Sequence, residues 1–346
     1  MICYLMNFVF SLLLFVSLPC LFLWLWKELT MGICRIKDKS LNGKTVLITG
    51  GNSGIGFETA VELAKRGAKL IIGCRNVKNV EMKIRSLAPA VENIECVRLD
   101  LSSFESIQEF AKEIKSRHDH VHILINNAGI SKSDQKLSNE GFEMTIGTNY
   151  IGHALLNNLL MDLVKKAGED GEDYSRIILV SSITALNKKA ANDLCTKYSG
   201  NGSYCIDFSG DVPFEQYAKS KLSQIMYAKH LGELLNEEEC RTLVLSLHPG
   251  IVRTNIWEAF KKPLLRRIVQ FSNYLIGKTP WQGAQTTVHL CLMDLSPFTP
   301  NELNGNFYSD CRSRHWINHF LPKIVQDKHA CKYLYEETMK LISKHI

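Results

Sequence analysis

The chain has 346 residues and a formal net charge of +6 that is spread along its length. No basic run with interleaved aromatic residues is present, so charge and composition argue against a nucleic-acid-binding function. The eleven cysteines are odd in number, irregularly spaced and without a Cys-x-x-Cys pair, which indicates reduced thiols and no disulfide framework.

The N-terminal segment is apolar enough to span a membrane, because residues 1–26 carry no charge and about 20 apolar residues cross a bilayer core. We expect a transmembrane signal-anchor over 1–27 and a basic juxtamembrane linker over 28–40. The cations after the apolar run are Lys27, Arg35, Lys37 and Lys39. Their position favours a catalytic domain in the cytosol. The alternatives are a cleaved signal peptide and a buried core helix.

From residue 41 onward, short apolar strands alternate with amphipathic helical patterns. This alternation is typical of an α/β fold with a doubly wound parallel sheet, and the length suits a single domain over 41–346. The seven predicted strands are 45–49, 69–74, 95–99, 121–126, 176–181, 243–248 and 305–309.

A glycine-rich loop follows the first predicted strand and precedes a helical pattern. Strand, turn and helix together form a Rossmann-type phosphate site, because glycines admit a pyrophosphate and a helix N-terminus offers free N–H groups. The spacing is Gly-x-x-x-Gly-x-Gly, for which an ordinary turn is the alternative. The loop residues expected to bind a dinucleotide are Gly50, Asn52, Ser53, Gly54, Ile55 and Gly56.

The end of the second predicted strand bears on the choice of cofactor. An NAD site needs a carboxylate here for the ribose hydroxyls, whereas an NADP site needs a cation. No acidic residue lies between the start of this strand and Glu81, and Arg75 is placed to bind a 2′-phosphate with Ser53 as a hydroxyl donor. We therefore expect NADP(H); the alternative is an arginine that faces solvent in a turn.

Ser182, Tyr217 and Lys221 can together move a proton to or from a carbinol oxygen. Tyr217 and Lys221 stand four residues apart and so project from one helical face. A nearby cation lowers the pKa of a phenol from about 10 towards the range that a general acid or base needs. Ser182, at the end of an apolar strand, supplies a hydroxyl that orients the substrate oxygen. Taken alone, the Tyr-x-x-x-Lys spacing is more often a solvated helix face.

These motifs together resemble the short-chain dehydrogenase/reductase family, from Leu41 to the C-terminus. Further family markers are Asp100-Leu101, Asn126-Asn127-Ala128-Gly129, Asn149 and His248-Pro249-Gly250-Ile251-Val252-Arg253-Thr254. The cofactor contacts that the resemblance implies beyond the loop and Arg75 are Asp100, Leu101, Asn127, Ala128, Gly129, Tyr217, Lys221, Pro249, Gly250, Val252 and Thr254.

The resemblance also implies four catalytic residues. Tyr217 donates the proton in carbonyl reduction, and Ser182 fixes the carbonyl oxygen. Lys221 binds the nicotinamide ribose and lowers the pKa of the tyrosine, while Asn149 holds a relay water near the lysine. A metal site is not expected, because the lone His315-x-x-x-His319 has no further ligand nearby.

Within the family, the chain is most similar to the membrane-anchored retinol dehydrogenases. The phrases that carry this finer resemblance are Gly73-Cys74-Arg75-Asn76, Ser220-Lys221-Leu222 and Asn306-Phe307-Tyr308-Ser309-Asp310-Cys311. It implies a single-pass protein of the endoplasmic reticulum membrane with an apolar small-molecule substrate, retinol or retinal. The segment between Ser182 and Tyr217 departs from the group by being longer, and it borders the substrate mouth.

A substrate lid is expected over about 255–280, where apolar residues mix with four cations as in helices at a membrane surface. A lid that packs only on protein is the alternative. The sequence thus predicts an NADP(H)-dependent alcohol/carbonyl oxidoreductase. Reduction of a steroid, an isoprenoid or a lipid aldehyde by the same residues stays open, as does a membrane-tethered binding protein without turnover. The oligomeric state also stays open.

Overall fold

The computed structural model describes residues 17, 21, 22, 25 and 32–346, except 90, 92, 132, 172, 198–203, 254–276 and 314–315. The anchor predicted over 1–27 and the lid predicted over 255–280 therefore lie largely outside the described residues, and Thr254 lies outside them entirely. Within the described ranges, no helix combines the length and the apolar character needed to cross a membrane.

A parallel sheet of seven strands forms the centre of the fold, as the sequence predicts. Its strands are β1 (Thr45–Thr49), β2 (Lys69–Cys74), β3 (Ile94–Arg98), β4 (Ile123–Asn126), β5 (Ser175–Val180), β8 (Thr242–His248) and β9 (Phe307–Ser309). They lie in the order β3-β2-β1-β4-β5-β8-β9, and each adjacent pair is parallel. Every residue of β1, β5 and β8 is buried, as expected for strands covered on both faces.

Helices cover both faces of this sheet. Their bounds are α1 Gly54–Ala64, α2 Val80–Leu87, α3 Phe104–Arg117, α4 Met144–Ile146, α5 Gly152–Leu159, α6 Met161–Glu169, α7 Lys188–Leu194, α8 Pro213–Glu237, α9 Pro280–Leu292, α10 Pro300–Leu303 and α11 Lys328–Ile342. One apolar layer contains α1, α2 and α9, and the other contains α3, α5, α6, α8 and α11.

The helix α3 illustrates how the sequence specifies these layers. Its buried residues recur at three- and four-residue spacing and form one apolar stripe: Phe104, Ile107, Phe110, Ala111 and Ile114. The side chain of Ser103 accepts a hydrogen bond from the backbone N–H of Ser106 and so caps the first turn. Stripe and cap together fix where the helix begins and which face meets the sheet.

The order of the strands creates a crevice at their carboxyl ends. Crossovers run outward in opposite directions from β1 and β4, which are neighbours, and ligands bind at such a switch point in open α/β sheets. The glycine-rich loop follows β1, and Asn127 and Ala128 follow β4. The two loops therefore meet at this edge.

The segment between Ser182 and α8 contains a hairpin that the sequence analysis does not predict. Its strands, β6 (Cys195–Lys197) and β7 (Tyr204–Ile206), pair in antiparallel fashion. Three residues are too few to show the alternation by which strands are recognised.

Side chains of α8 hold the chain that follows this hairpin. Gln216 Nε2 donates to the carbonyl oxygen of Gly210 (2.7 Å), and Lys219 Nζ donates to that of Asp207 (3.0 Å). Both residues flank Tyr217 on the same helix. The long segment is therefore fixed against the helix that carries the candidate catalytic residues.

Candidate active site

Ser182, Tyr217 and Lys221 come together at the carboxyl end of β5. Ser182 lies close enough to Tyr217 for its hydroxyl to lower the pKa of the phenol. Nζ of Lys221 lies 5.7 Å from the centre of the Tyr217 ring, one helical turn away on α8. Tyr217 is 7% and Lys221 3% exposed, so the pair is buried rather than on a solvated helix face.

The Lys221 ammonium group is held by neutral oxygen atoms. Its Nζ donates to the carbonyl oxygen of Val180 (2.8 Å) and to Oε1 of Gln224 (3.2 Å). Burial disfavours the charged form and lowers the pKa of Lys221 from 10.5 to about 7. The charged and the neutral form of Lys221 are therefore both populated near neutral pH.

Burial acts on Tyr217 in the direction opposite to the sequence prediction. It raises the pKa of the phenol from 10.0 to about 12, and the nearby Ser182 hydroxyl offsets only part of this rise. The expected net fall in the pKa of Tyr217 is therefore wrong for the protein as described: the net change is a rise, because the burial that brings the cation close also desolvates the phenolate. At neutral pH Tyr217 is a phenol, the form that can donate a proton.

Asn149 lies in a π-helical turn, Gly147–Ile151, between α4 and α5. Its side-chain Oδ1 accepts from the backbone N–H of Ile130 (2.8 Å), and Nδ2 donates to Ser220 Oγ (3.0 Å). Its main-chain oxygen accepts from Gln224 Nε2 (2.8 Å) and from His153 Nδ1 (2.9 Å). Such turns are frequent at functional sites. Here the turn brings Asn149 next to α8, with Gln224 between Asn149 and Lys221.

Thr49, the last residue of β1, joins the cofactor loops to the catalytic residues. Its Oγ1 accepts from the backbone N–H groups of Asn127 and Ala128 (both 3.0 Å) and lies 2.9 Å from His153 Nε2. Because His153 Nδ1 must donate to the Asn149 oxygen, Nε2 is an acceptor and the Thr49 hydroxyl donates to it. Complete burial lowers the pKa of His153 to about 4, so the ring is neutral at physiological pH.

The glycine-rich loop closes tightly against β4. Gly50 and Gly54 have positive φ angles of 69° and 57°, which residues with a side chain rarely adopt. A Cβ on Gly56 would lie 2.3 Å from Asn127 Nδ2 and 2.4 Å from the Gly50 oxygen. Asn127 Nδ2 donates to the Thr49 carbonyl oxygen (2.8 Å). Glycine at these positions is therefore what allows α1 to approach the strand ends.

The first turn of α1 fits a dinucleotide phosphate. The side chain of Ser53 makes no capping hydrogen bond, and a Cβ on Gly54 would meet no atom within 4 Å. The N–H groups and the positive dipole end of α1 are thus uncrowded and can accept a pyrophosphate. Asn52 and Ile55 lie in the same turn, half-buried.

Other predicted cofactor residues follow the neighbouring strands. Arg75 is exposed and comes directly after β2, and Gly129 is exposed after β4. Asp100 Oδ1 accepts from the backbone N–H (3.0 Å) and the hydroxyl (2.7 Å) of Ser102. Leu101 is buried beside it. The structure therefore places this set along one edge of the sheet.

Lys278 fixes the segment that follows β8. Pro249 is buried, and Gly250 has a φ of 93°. A Cβ on Gly250 would lie 2.6 Å from Cδ of Lys278, so the lysine stem covers this glycine. Val252 forms a parallel bridge with Lys278, which is also ion-paired with Asp310.

Four residues of the site are not singled out by the sequence analysis. Thr49, His153 and Gln224 build the network described above, and His248 Nδ1 accepts from the Ile183 N–H (3.1 Å), next to Ser182. Helical spacing could have found two of them, since Gln224 follows Lys221 by three positions and His153 follows Asn149 by four. Thr49 and His248 are recognisable only once the strand ends are placed side by side.

A doubly wound parallel sheet with a glycine-rich loop at the carboxyl end of its first strand is the architecture of dinucleotide-binding proteins. The model of the short chain dehydrogenase family matches residues 44–199. Retinol dehydrogenase 14 of Mus musculus is 34% identical over 307 residues, which cover 84% of each chain. Retinol dehydrogenase 12 of Bos taurus is 36% identical over 292 residues, which cover 83% of each chain.

Solved structures agree with this relationship. A 3-ketoacyl-(acyl-carrier-protein) reductase from Brucella melitensis, complexed with NADH, is 25% identical and has a TM-score of 0.55. The similarity covers 75% of this chain and 96% of the reductase. The chain belongs to the short-chain dehydrogenase/reductase family, and it is an oxidoreductase of that family.

The junction at Thr49 can be tested by its hydroxyl group. Thr49→Val keeps the shape but removes the acceptor of the Ala128 N–H, one of two acceptors of the Asn127 N–H, and the donor to His153. Because each buried unpaired polar group costs about 1–3 kcal/mol, we expect the free energy of unfolding to fall by at least about 2 kcal/mol. Thr49→Ser keeps the hydroxyl and serves as the control. Equal denaturant stability of the two variants would contradict the assigned bonds.

Proposed function

We propose that the chain is an NADP(H)-dependent alcohol/carbonyl oxidoreductase whose apolar substrate is retinol or retinal. The observation that carries the proposal is the buried cluster of Ser182, Tyr217 and Lys221 at the strand edge that also carries the glycine-rich loop. The retinoid assignment is supported by the names of the relatives and by the apolar N-terminus, which suits a substrate that partitions into lipid.

The residues of the cluster have separate tasks in this proposal. A bound nicotinamide would exchange a hydride with the substrate carbon. Tyr217, a phenol at neutral pH, donates its proton to the substrate oxygen in the reducing direction. Ser182 binds the same oxygen and orients it for this transfer. Lys221 has three N–H donors, of which Val180 and Gln224 take two, and the third is left for the nicotinamide ribose.

A positive charge on Lys221 favours proton transfer from Tyr217 to the substrate oxygen. An ammonium close to the Tyr217 ring stabilises the phenolate that remains after the proton has left. Asn149, joined to Lys221 through Gln224, is the residue through which we propose that Tyr217 recovers its proton. We propose that the other cofactor contacts expected from the sequence, among them Thr254, also bind the dinucleotide.

The position of Arg75 supports NADP(H) over NAD(H). Gly73, at the end of β2, accepts at its carbonyl oxygen a hydrogen bond from the Gly50 N–H (2.8 Å), so the strand end adjoins the glycine-rich loop. Arg75 follows two residues later with an exposed side chain. A guanidinium at this place can bind a 2′-phosphate through charge-assisted hydrogen bonds.

We also propose that residues 1–27 anchor the chain in the endoplasmic reticulum membrane and that 28–40 link this anchor to a cytosolic domain over 41–346. The support is the uncharged run of residues 1–26 and the cations that follow it. The lid over about 255–280, with its four cations among apolar residues, would lie close to the same membrane surface.

Tyr217→Phe tests the catalytic role. Loss of the proton donor should lower kcat with all-trans-retinal by about 100-fold or more, since general acid catalysis contributes at least that much, and leave NADPH binding intact. Tyr227→Phe, a buried tyrosine on the same helix, is the matched control and should keep its turnover. Retention of more than about a tenth of kcat, roughly 1.4 kcal/mol of barrier, would refute the assignment.

Turnover of a 17-ketosteroid or a medium-chain aldehyde, without that of retinal, would refute the retinoid substrate.

Arg75→Ala tests the cofactor choice. We expect the KM for NADPH to rise by about tenfold or more, because the charge-assisted contact is lost, while the KM for NADH stays unchanged. Lys78→Ala removes another exposed cation from the same turn and should change neither value. An equal shift in both KM values for Arg75→Ala would show that Arg75 does not bind the 2′-phosphate.

The topology is tested at Asn201, which begins the chain's only Asn-x-Ser/Thr acceptor and lies outside the described residues. A cytosolic domain meets no glycosylation machinery, so we expect Asn201 to carry no glycan. Protease added to sealed microsomes should digest the domain. A mobility shift on endoglycosidase treatment that disappears in Asn201→Gln would overturn the orientation.

A further inference from the structure

Gln224 connects the two halves of the catalytic network. Its Oε1 accepts from Lys221 Nζ (3.2 Å), and its Nε2 donates to the main-chain oxygen of Asn149 (2.8 Å). The orientation of the amide is fixed by its partners, because an ammonium only donates and a carbonyl only accepts. Gln224 is fully buried, so water does not compete for either end.

The oxygen of Asn149 is held from a second side as well. His153 Nδ1 donates to it (2.9 Å), and His153 is itself held by Thr49. A carbonyl oxygen has two lone pairs, and Gln224 and His153 fill them. Asn149 Oδ1 accepts from the Ile130 N–H and has a second lone pair that can bind a relay water. Oδ1 and Lys221 Nζ both lie 3.4 Å from the position that a Cβ on Gly129 would take.

We propose that Gln224 is a positioning residue that sets the direction and the charge state of Lys221. This inference rests on the proposed roles of Tyr217 and Lys221 in catalysis. The amide oxygen of Gln224 and the carbonyl oxygen of Val180 hold two of the three ammonium hydrogens, and this leaves the third directed away from both. Gln224, which orients the ammonium, is itself held by the main-chain oxygen of Asn149 in the π-helical turn.

The surroundings of Lys221 explain why a neutral amide matters there. The titratable groups that face it are Tyr217, on its own helix, and His153, on α5, and both are uncharged at neutral pH. From β5 it receives the Val180 oxygen. Hydrogen bonds that accept from the charged form favour that form against burial. Loss of Oε1 would leave Lys221 with one protein acceptor and favour the amine, which cannot stabilise a phenolate on Tyr217.

A role in packing alone predicts a different outcome from a role in setting the charge. Gln224→Leu fills a similar volume and removes both hydrogen bonds, whereas Gln224→Glu places a carboxylate at the same distance from Nζ. If Gln224 sets the charge state, the first change lowers and the second raises the pH at which Lys221 titrates. If it only fills space, Gln224→Leu leaves that pH unchanged, whereas the carboxylate of Gln224→Glu raises it in either case and shows that the measurement responds to charge at this position.

The titration can be followed without turnover, in the full chain labelled with ¹³C at lysine Cε. The Lys221 resonance is identified by its loss in Lys221→Met. We expect its midpoint to rise by at least about one pH unit in Gln224→Glu and to fall by a similar amount in Gln224→Leu. Gln285→Glu, a buried glutamine on α9 on the other face of the sheet, is the matched control and should leave the midpoint unchanged. An unchanged midpoint in Gln224→Leu would overturn the proposal.

Steady-state kinetics give the second measurement. Gln224→Leu should lower kcat with all-trans-retinal about tenfold or more while the KM for retinal stays constant, and Gln224→Glu should move the alkaline limb of kcat to higher pH. If Gln224→Leu does not fold, Gln224→Met, which is unbranched and also removes both hydrogen bonds, decides through its titration midpoint. Shifted midpoints together with full turnover by Tyr217→Phe would refute the proposed function and leave the role of Gln224 standing. An unchanged midpoint in Gln224→Leu with an inactive Tyr217→Phe would do the reverse.

Discussion

The buried ammonium group of Lys221 is the constraint on which the site depends. A cation without a carboxylate partner can be kept inside the protein only if carbonyl and amide oxygens surround it. Val180, at the end of β5, and Gln224, on α8, supply them. The site therefore requires the sheet edge and the long helix to be held at one separation, which is what the extensive burial of α8 achieves.

A chain of hydrogen bonds between uncharged groups connects Lys221 to the loops after β1 and β4. Gln224 leads to Asn149, Asn149 to His153, and His153 to Thr49, where the backbone N–H groups after β4 converge. Each member is buried and each donor meets an acceptor, so the network stays neutral apart from Lys221. The distance between the glycine-rich loop and Tyr217 is thus set by the strand ends rather than by flexible loops, as positioning for hydride transfer requires.

The sequence predicts local features of this structure well and long-range ones poorly. The seven strands, the glycine-rich loop and the i, i+4 relation of Tyr217 and Lys221 depend on neighbours in the chain, and the structure confirms these elements. The pKa of Tyr217 was predicted in the wrong direction, because it depends on burial that only the packed fold reveals. The β6–β7 hairpin has strands too short to leave a pattern. Thr49 and His153 become partners only when β1 meets the π-helical turn.

We propose that this site transfers a hydride and a proton to an apolar carbonyl compound. The full chain is supplied with all-trans-retinal and with NADPH that carries deuterium at the transferable C4 position. The deuterium content of the retinol formed is then measured by mass spectrometry. We expect one deuterium per retinol, bound to the former carbonyl carbon, and an exchangeable hydrogen on the oxygen. Retinol without deuterium, or no reduction of retinal, would contradict this proposal.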